Sequence, residues 1–237
     1  NGVSWSAGGA YCEDGGQNGE GPEYSCETGQ TNNSSISFDN EDHILFGSNL
    51  IPSLPITISK DIFINNLQVN NILISKDNTW CWYLRNSGDG SMQLSIWSET
   101  NEHLNEYIFN ENEWYNITIT IDENYNIVQY VNGEIIPVSN SWTSPINNID
   151  FDNSENIRLG EWTADAENWN GLFDNIQIWN MVLSQEEVQQ YMNCPPTGNE
   201  VGLVGYWDFE ENDINTVLDL SPNQNNGTID GATYDTE

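Results

Sequence analysis

The sequence predicts an all-β, antiparallel sandwich with one short helix near residues 184–192. Three observations carry this. In "NITITID" (Asn116 to Asp122) the Ile residues at 117, 119 and 121 alternate with Thr118 and Thr120, the period of a strand with two unlike faces. Segments of this kind recur every 8–12 residues with turn residues between them, a spacing that fits hairpins and not parallel crossovers. Only "LSQEEVQQYM" (Leu183 to Met192) has helical periodicity.

Taken along the chain, "ISFDNEDHILF" (Ile36 to Phe46), "ITISKDIFI" (Ile56 to Ile64) and "NILISK" (Asn71 to Lys76) are strands broken by Asn, Asp and Pro. "WCWYLRN" and "MQLSIWS" follow, split by Ser87-Gly88-Asp89-Gly90-Ser91, a hairpin signal. After "NITITID" a turn at Glu123-Asn124 leads into "NIVQYVNGEII", where Asn132-Gly133 predicts a second tight turn. "NIRLGEW" and "LFDNIQIW" complete the central set. In the helix, Ser184 and Glu187 have capping-box spacing, Val188 and Met192 lie four apart on one face, and "CPPTGN" stops it. "GLVGYWDFEEN" (Gly202 to Asn212) reads as one more strand after the helix.

Charge narrows the function. Four Lys and Arg face 37 Asp and Glu, a formal net charge of -33. That excludes binding to a phosphate backbone, which needs Lys or Arg, and disfavours anionic membrane surfaces. An excess of carboxylates repels itself unless cations relieve it, and Ca²⁺ takes oxygen ligands from carboxylates, amides and carbonyls. The plainer reading of most acids is a surface kept soluble in salty water. No apolar run approaches the ~20 residues of a membrane helix, so no membrane insertion is expected. Without a starting Met or a signal segment, the chain reads as a piece of a larger secreted or cell-surface protein. Cys12 and Cys26 flank a Gly-rich acidic loop that could hardly order itself, so a disulfide is expected there, and with it an oxidising compartment. For Cys81 and Cys194 two readings stand, a second disulfide or two buried thiols.

Several segments together resemble the LamG-like jelly-roll domains of the concanavalin A-like lectin/glucanase superfamily. These are Trp114-Tyr115 opening a strand, Tyr130 to Gly133 at a hairpin, Gly171 to Trp179 leading into Leu183-Ser184, and the early "SISFDNEDHILF". In that early strand Asn40 and His43 stand where the family pattern has Gly and Tyr. The resemblance spans roughly Ser34 to Met192 and implies a jelly-roll sandwich. It also implies that "GLVGYWDFEEN" is the family's usual first strand displaced to the end. On this reading residues 1–30 are a Gly/Cys-rich segment and 31–193 the sandwich, while 194–237 either complete it or open a further repeat. The return is favoured, because an orphan strand would leave Val204, Tyr206, Trp207 and Phe209 without a partner sheet.

The superfamily includes glycosidases and lyases, but catalysis is not expected. No strand carries alternating carboxylates aimed into a cleft, and His43 and His103 lie in no Tyr/Arg/His motif; His103 reads as exposed. Binding is better supported. Trp114, Trp179 and Trp207 read as core, whereas Trp142, Trp162 and Trp169 sit in polar segments beside Asp165, Glu167, Asn168 and Asn170. Aromatic rings stack on sugar faces while amides and carboxylates bond hydroxyls; the alternative is a loop Trp pinning its loop to the sandwich. The resemblance implies a structural Ca²⁺ where the early turn meets the late strand, here Asp39 and Asp42 with Asp174, joined by Asp208 and Glu210 if the C-terminal strand returns. The expectation is a Ca²⁺-dependent polysaccharide-binding or adhesion module of the extracellular space or cell surface. The alternative is a structural or protein-binding spacer.

Overall fold

The computed structural model describes residues 5–6, 9–10, 34–39, 41–51, 53–67, 70–77, 79–86, 92–98, 101–139, 144–151, 154–162, 167–211 and 213–236. Cys12, Cys26, Trp142 and Asp165, and so the expected Cys12–Cys26 disulfide, lie outside the described residues.

In chain order the strands are β1 (Trp5–Ser6), β2 (Gly9–Ala10), β3 (Ser34–Phe38), β4 (His43–Phe46), β5 (Ile56–Ile64), β6 (Asn70–Lys76) and β7 (Trp80–Asn86). Next come β8 (Met92–Ser98), β9 (Asn101–Tyr107), β10 (Trp114–Ile121), β11 (Ile127–Val131), β12 (Glu134–Ile135) and β13 (Ile157–Leu159). β14 (Glu161–Trp162), β15 (Glu167–Asn168) and β16 (Gly171–Trp179) lead to the helix α1 (Gln185–Asn193). β17 (Leu203–Trp207), β18 (Thr216–Val217), β19 (Gly227–Asp230) and β20 (Thr233–Thr236) close the chain.

Two large antiparallel sheets face each other, as in a concanavalin A-like jelly roll. The first runs β12-β11-β10-β5-β16-β3-β20, with β17 also on β16, and the second runs β18-β19-β4-β13-β6-β7-β8-β9. Alternation decides what fills the gap. Ile117, Ile119 and Ile121 of β10, Ile58 and Ile62 of β5, and Trp80, Trp82 and Leu84 of β7 all belong to one buried cluster. The Asn132-Gly133 hairpin forms with both residues at positive φ, 51° and 75°, the geometry a two-residue turn needs to follow strand twist. Ser184 caps α1, accepting from the Glu187 amide, while the Glu187 carboxylate takes the Ser184 amide. The helix lies on the outer side of the first sheet, where Val188 and Leu183 cover Tyr130, Trp179 and Tyr206. Trp207 is core, but Trp114 is only partly buried and packs on Phe63 at 5.5 Å.

The C-terminal segment enters both sheets. β17 pairs with β16 from Ile176↔Trp207 to Trp179↔Leu203, end to end with β3, which pairs at Gly171 to Phe173. β19 then joins β4, and β20 joins β3. Trp207, Phe209 and Val217 thereby reach the central cluster.

Neither reading of Cys81 and Cys194 holds as a pair: they are not joined to each other, and Cys194, only half-buried, is itself disulfide-bonded rather than a buried thiol. Cys81 is a buried cysteine packed with Ile72, Tyr83 and Trp162, while Cys194 caps the C-terminus of α1.

Candidate functional site: an aromatic wall on the outer face of the second sheet

Because Trp80, Trp82 and Leu84 point inward, their neighbours Cys81, Tyr83 and Arg85 point out from the second sheet. Register extends this face across β8 and β9, where Tyr83 opposes Ser95, Cys81 opposes Trp97, and Trp97 opposes Glu102. The ribbon of β14 and β15 folds back beside it. Gly160 starts this ribbon at φ +85°, where a Cβ would stand 2.7 Å from the Phe38 ring, so a side chain is excluded. Trp162 then lands on Ile72, Cys81 and Tyr83, and its ring meets Trp97 edge-on at 5.7 Å. Trp162 is 6 % exposed, whereas Trp97 keeps more of its surface in solvent.

A polar cluster adjoins this aromatic wall. One Glu102 oxygen accepts from the Tyr83 hydroxyl and, at 2.7 Å, from Ser95 Oγ; the other accepts from Arg85 Nη1. The Glu102 amide donates to Ser144 Oγ at 2.9 Å. Burial, and then the bond to Glu102, push the Tyr83 phenol far above its ordinary pKa, so it stays a donor. Across the sheet, Arg158 bonds Asp77 at 2.8 Å and Glu161 at 2.9 Å, and His43 lies 3.4 Å from Glu161.

The structure splits the residues picked out for ligand contact. Trp162, Glu167 and Asn168 belong to the ribbon beside the aromatic wall. Trp169 turns the other way, fully buried and stacked on Phe173 at 4.8 Å. Asn170 follows it and accepts the Asn65 amide through its carbonyl. Trp97, Tyr83, Arg85, Ser95 and Glu102 were missed as a set. The usable signal was the alternation of "MQLSIWS", which puts Gln93, Ser95 and Trp97 on one face. His103 is half-buried and opposes Ile96 rather than standing in solvent, and burial lowers its pKa.

The carboxylates expected to hold a metal also fall into two groups. Asp39 and Asp42 bond each other's backbone, Asp42 Oδ2 accepting the Asp39 amide at 2.8 Å. Gly171 opposes Phe38, so Asp39 falls opposite position 170, about 13 Å of strand from Asp174. Asp174 instead opposes Asp61 across a bulge on the outer face of the first sheet. Asp61 accepts from Asn116 Nδ2 at 2.8 Å and Asn175 Nδ2 at 3.0 Å. Asp174 is raised well above the carboxylate range by burial and then by the charges of Asp61, Asp208 and Glu210. Burial lifts Asp61 to about 6. Lys60, the next residue on β5, points to the opposite face and gives no relief. Oxygen donors of like charge at Asp174, Asp208 and Glu210 suit a hard cation in kind; Asp39 and Asp42 do not share that place. No ready-made group of three or more His, Cys, Asp and Glu metal ligands occurs among the described residues.

The model of the Laminin_G_3 family, described as the concanavalin A-like lectin/glucanases superfamily, matches residues 38–189. Among solved structures, a Bacteroides ovatus protein provisionally described as carbohydrate-binding aligns with TM-score 0.68 and 18% identity, over 86% of this chain and 60% of its own. The chain thus spans about three fifths of that protein's length. A pentraxin of Limulus polyphemus aligns with TM-score 0.59 and 14% identity, over 86% of this chain and 95% of its own. Domain 4 of an extracellular arabinanase from Geobacillus stearothermophilus, solved with arabinotriose, aligns with TM-score 0.54 and 16% identity, over 75% and 84%. At such identities these likenesses describe the fold. No curated protein matches the chain in sequence.

Proposed function

The chain belongs to the concanavalin A-like lectin/glucanase superfamily, and from that premise we propose that it is a non-catalytic, Ca²⁺-dependent carbohydrate-binding module of a larger secreted or cell-surface adhesion protein. The aromatic wall of Trp97 and Trp162, set against the Tyr83–Glu102–Arg85–Ser95 cluster, is the observation that carries the reading. A partly exposed indole beside fixed donors and acceptors offers a sugar both a stacking face and partners for its hydroxyls. That the arabinanase domain was solved with arabinotriose supports this use of the fold.

The arrangement favours holding over cleaving. Glycoside hydrolysis needs one carboxylate poised to give a proton and a second free to attack or to activate water. Glu102 is locked by three donors, and Glu161 is held by Arg158. Ca²⁺, held by Asp174, Asp208 and Glu210, would neutralise their mutual repulsion and tie β16 to the segment after β17; its role is structural, on the sheet opposite the sugar site.

The test is retention of the protein on a polysaccharide panel, with calcium and with EDTA, beside Trp97→Ala. Retention that is lost in Trp97→Ala and weakened by EDTA fits the proposal. If no glycan retains the protein, the sugar reading fails and the spacer reading replaces it. If EDTA changes nothing, calcium has to be withdrawn.

A further inference from the structure

The sequence contains only four Lys and Arg, so where every basic side chain of these types goes can be followed. Lys60 is fully buried between the sheets and donates to the Leu73 carbonyl at 2.8 Å. Lys76 is also fully buried and donates to the carbonyls of Ser48 at 3.1 Å and Phe151 at 2.6 Å. Arg158 is spent on Asp77 and Glu161, and Arg85 on Glu102. Of the two His residues, His43 sits between Glu161 and Asp230, and His103 is half-buried with a lowered pKa.

On the outer face of the second sheet and its ribbon, Arg85, Arg158 and His43 therefore meet Asp77, Glu102, Glu106, Glu161, Glu167 and Asp230. Acids outnumber bases even where the bases lie. A sialic or uronic carboxylate arriving beside Trp97 would find one guanidinium, already neutralised by Glu102, within a field of the ligand's own sign. Its desolvation would go uncompensated, and like charges brought together across an interface oppose binding. A neutral sugar brings hydroxyls alone, which can donate to Glu102 and to backbone carbonyls and accept from Arg85.

Resting on the carbohydrate-binding reading, we infer that the aromatic wall of the second sheet selects uncharged glycans and rejects anionic ones. The fold would thus keep its few basic side chains for its own carbonyls and carboxylates and leave none for a ligand.

Affinity electrophoresis tests this, running the native chain through gels with neutral polymers (arabinan, galactomannan, xyloglucan) or anionic ones (polygalacturonate, alginate, polysialic acid). Each gel is run with calcium and with EDTA, with an inert protein of similar charge as reference. At least one neutral polymer should retard the chain, with little change as salt rises. Every anionic polymer should bind at least ~10-fold more weakly, a gap of about 1.4 kcal/mol or more. Removing the rim charge nearest Arg85 through Glu106→Gln should narrow that gap and leave neutral binding as it was. An anionic polymer that matches the best neutral one, with calcium or without it, overturns the inference while leaving the carbohydrate reading in place. Retardation by nothing overturns both.

Discussion

Replacing Lys60 by Met probes how the two sheets are held together. Lys60 is buried on the inner face of β5, with its amine 4.6 Å from the Phe173 ring centroid and 5.6 Å from that of Trp82. Its partner, Leu73, is the extra residue of a bulge in β6, between the register pairs Ile72↔Tyr83 and Ile74↔Trp82. The lysine thus crosses the core to supply a donor to the bulge. Lys60→Met keeps the packing but strands that carbonyl, at a cost of about 1–3 kcal/mol. Against this stands the cost of the amine itself, because burial holds its pKa well below the ordinary lysine value. Between the folded and unfolded pKa values the unfolded chain binds one more proton, so this contribution to stability rises with pH, by at most about 1.4 kcal/mol per unit. It is complete above the unfolded value and smallest below the folded one. Urea unfolding of the native and Lys60→Met proteins, from about pH 8 to about pH 10, should show native stability gaining on the variant by up to ~2.7 kcal/mol. Effects of other titrating groups cancel in the comparison. A difference that stays constant over that range would mean that the amine is charged and hydrated, and the account of the bulge would be refuted.

The remaining predictions address the site, the ion and the C-terminal segment. Trp97→Ala should abolish glycan retention with a change in melting temperature of only a few degrees, whereas Trp169→Ala should cost about 3–5 kcal/mol in denaturant unfolding, because that indole is fully buried on Phe173. Calcium should raise the melting temperature, by about 2.7 kcal/mol of stabilisation at a hundredfold excess over its Kd, and Asp174→Asn should remove most of that shift; an equal shift in both proteins would exclude Asp174 as a ligand. Trp207→Ala should destabilise by about 3–5 kcal/mol, since β17 delivers that ring to the central cluster, and a loss under 1 kcal/mol would contradict the pairing with β16. Under native conditions Cys81 should resist alkylation until denaturant is added, and non-reducing peptide mapping should find no Cys81–Cys194 link.

The fold was legible because alternation and turn chemistry agreed. In "NITITID" each Ile points to the core and each Thr to the outer face, and Asn132-Gly133 has the backbone its residues suggest. The site was less legible, for a physical reason. Period two separates two faces of a strand but does not say which is wet, and "WCWYLRN" is apolar on both sides because the β14–β15 ribbon covers its outer side. The converse misleads at Trp169. Its neighbours Asn168 and Asn170 make it look like a loop residue, yet alternation turns the ring between them inward.

The charges follow the same logic. Lys60 and Asp61 are consecutive and opposite in sign, which suggests a pair, but the pleat sends them to different faces of β5. One therefore serves a bulge carbonyl in the core, and the other adds to an acidic cluster, while all four Lys and Arg side chains are engaged elsewhere. Sequence supplied the imbalance of charge, but only the register shows where like charges gather. On the first sheet it gathers at Asp174, where the proposed cation would sit; on the second it lies beside a partly exposed indole, where it would set the sign of ligand that the proposed site admits. Chelation should therefore act through Asp174 on stability, and on binding only by way of it, whereas ligand charge should act directly at the rim around Trp97.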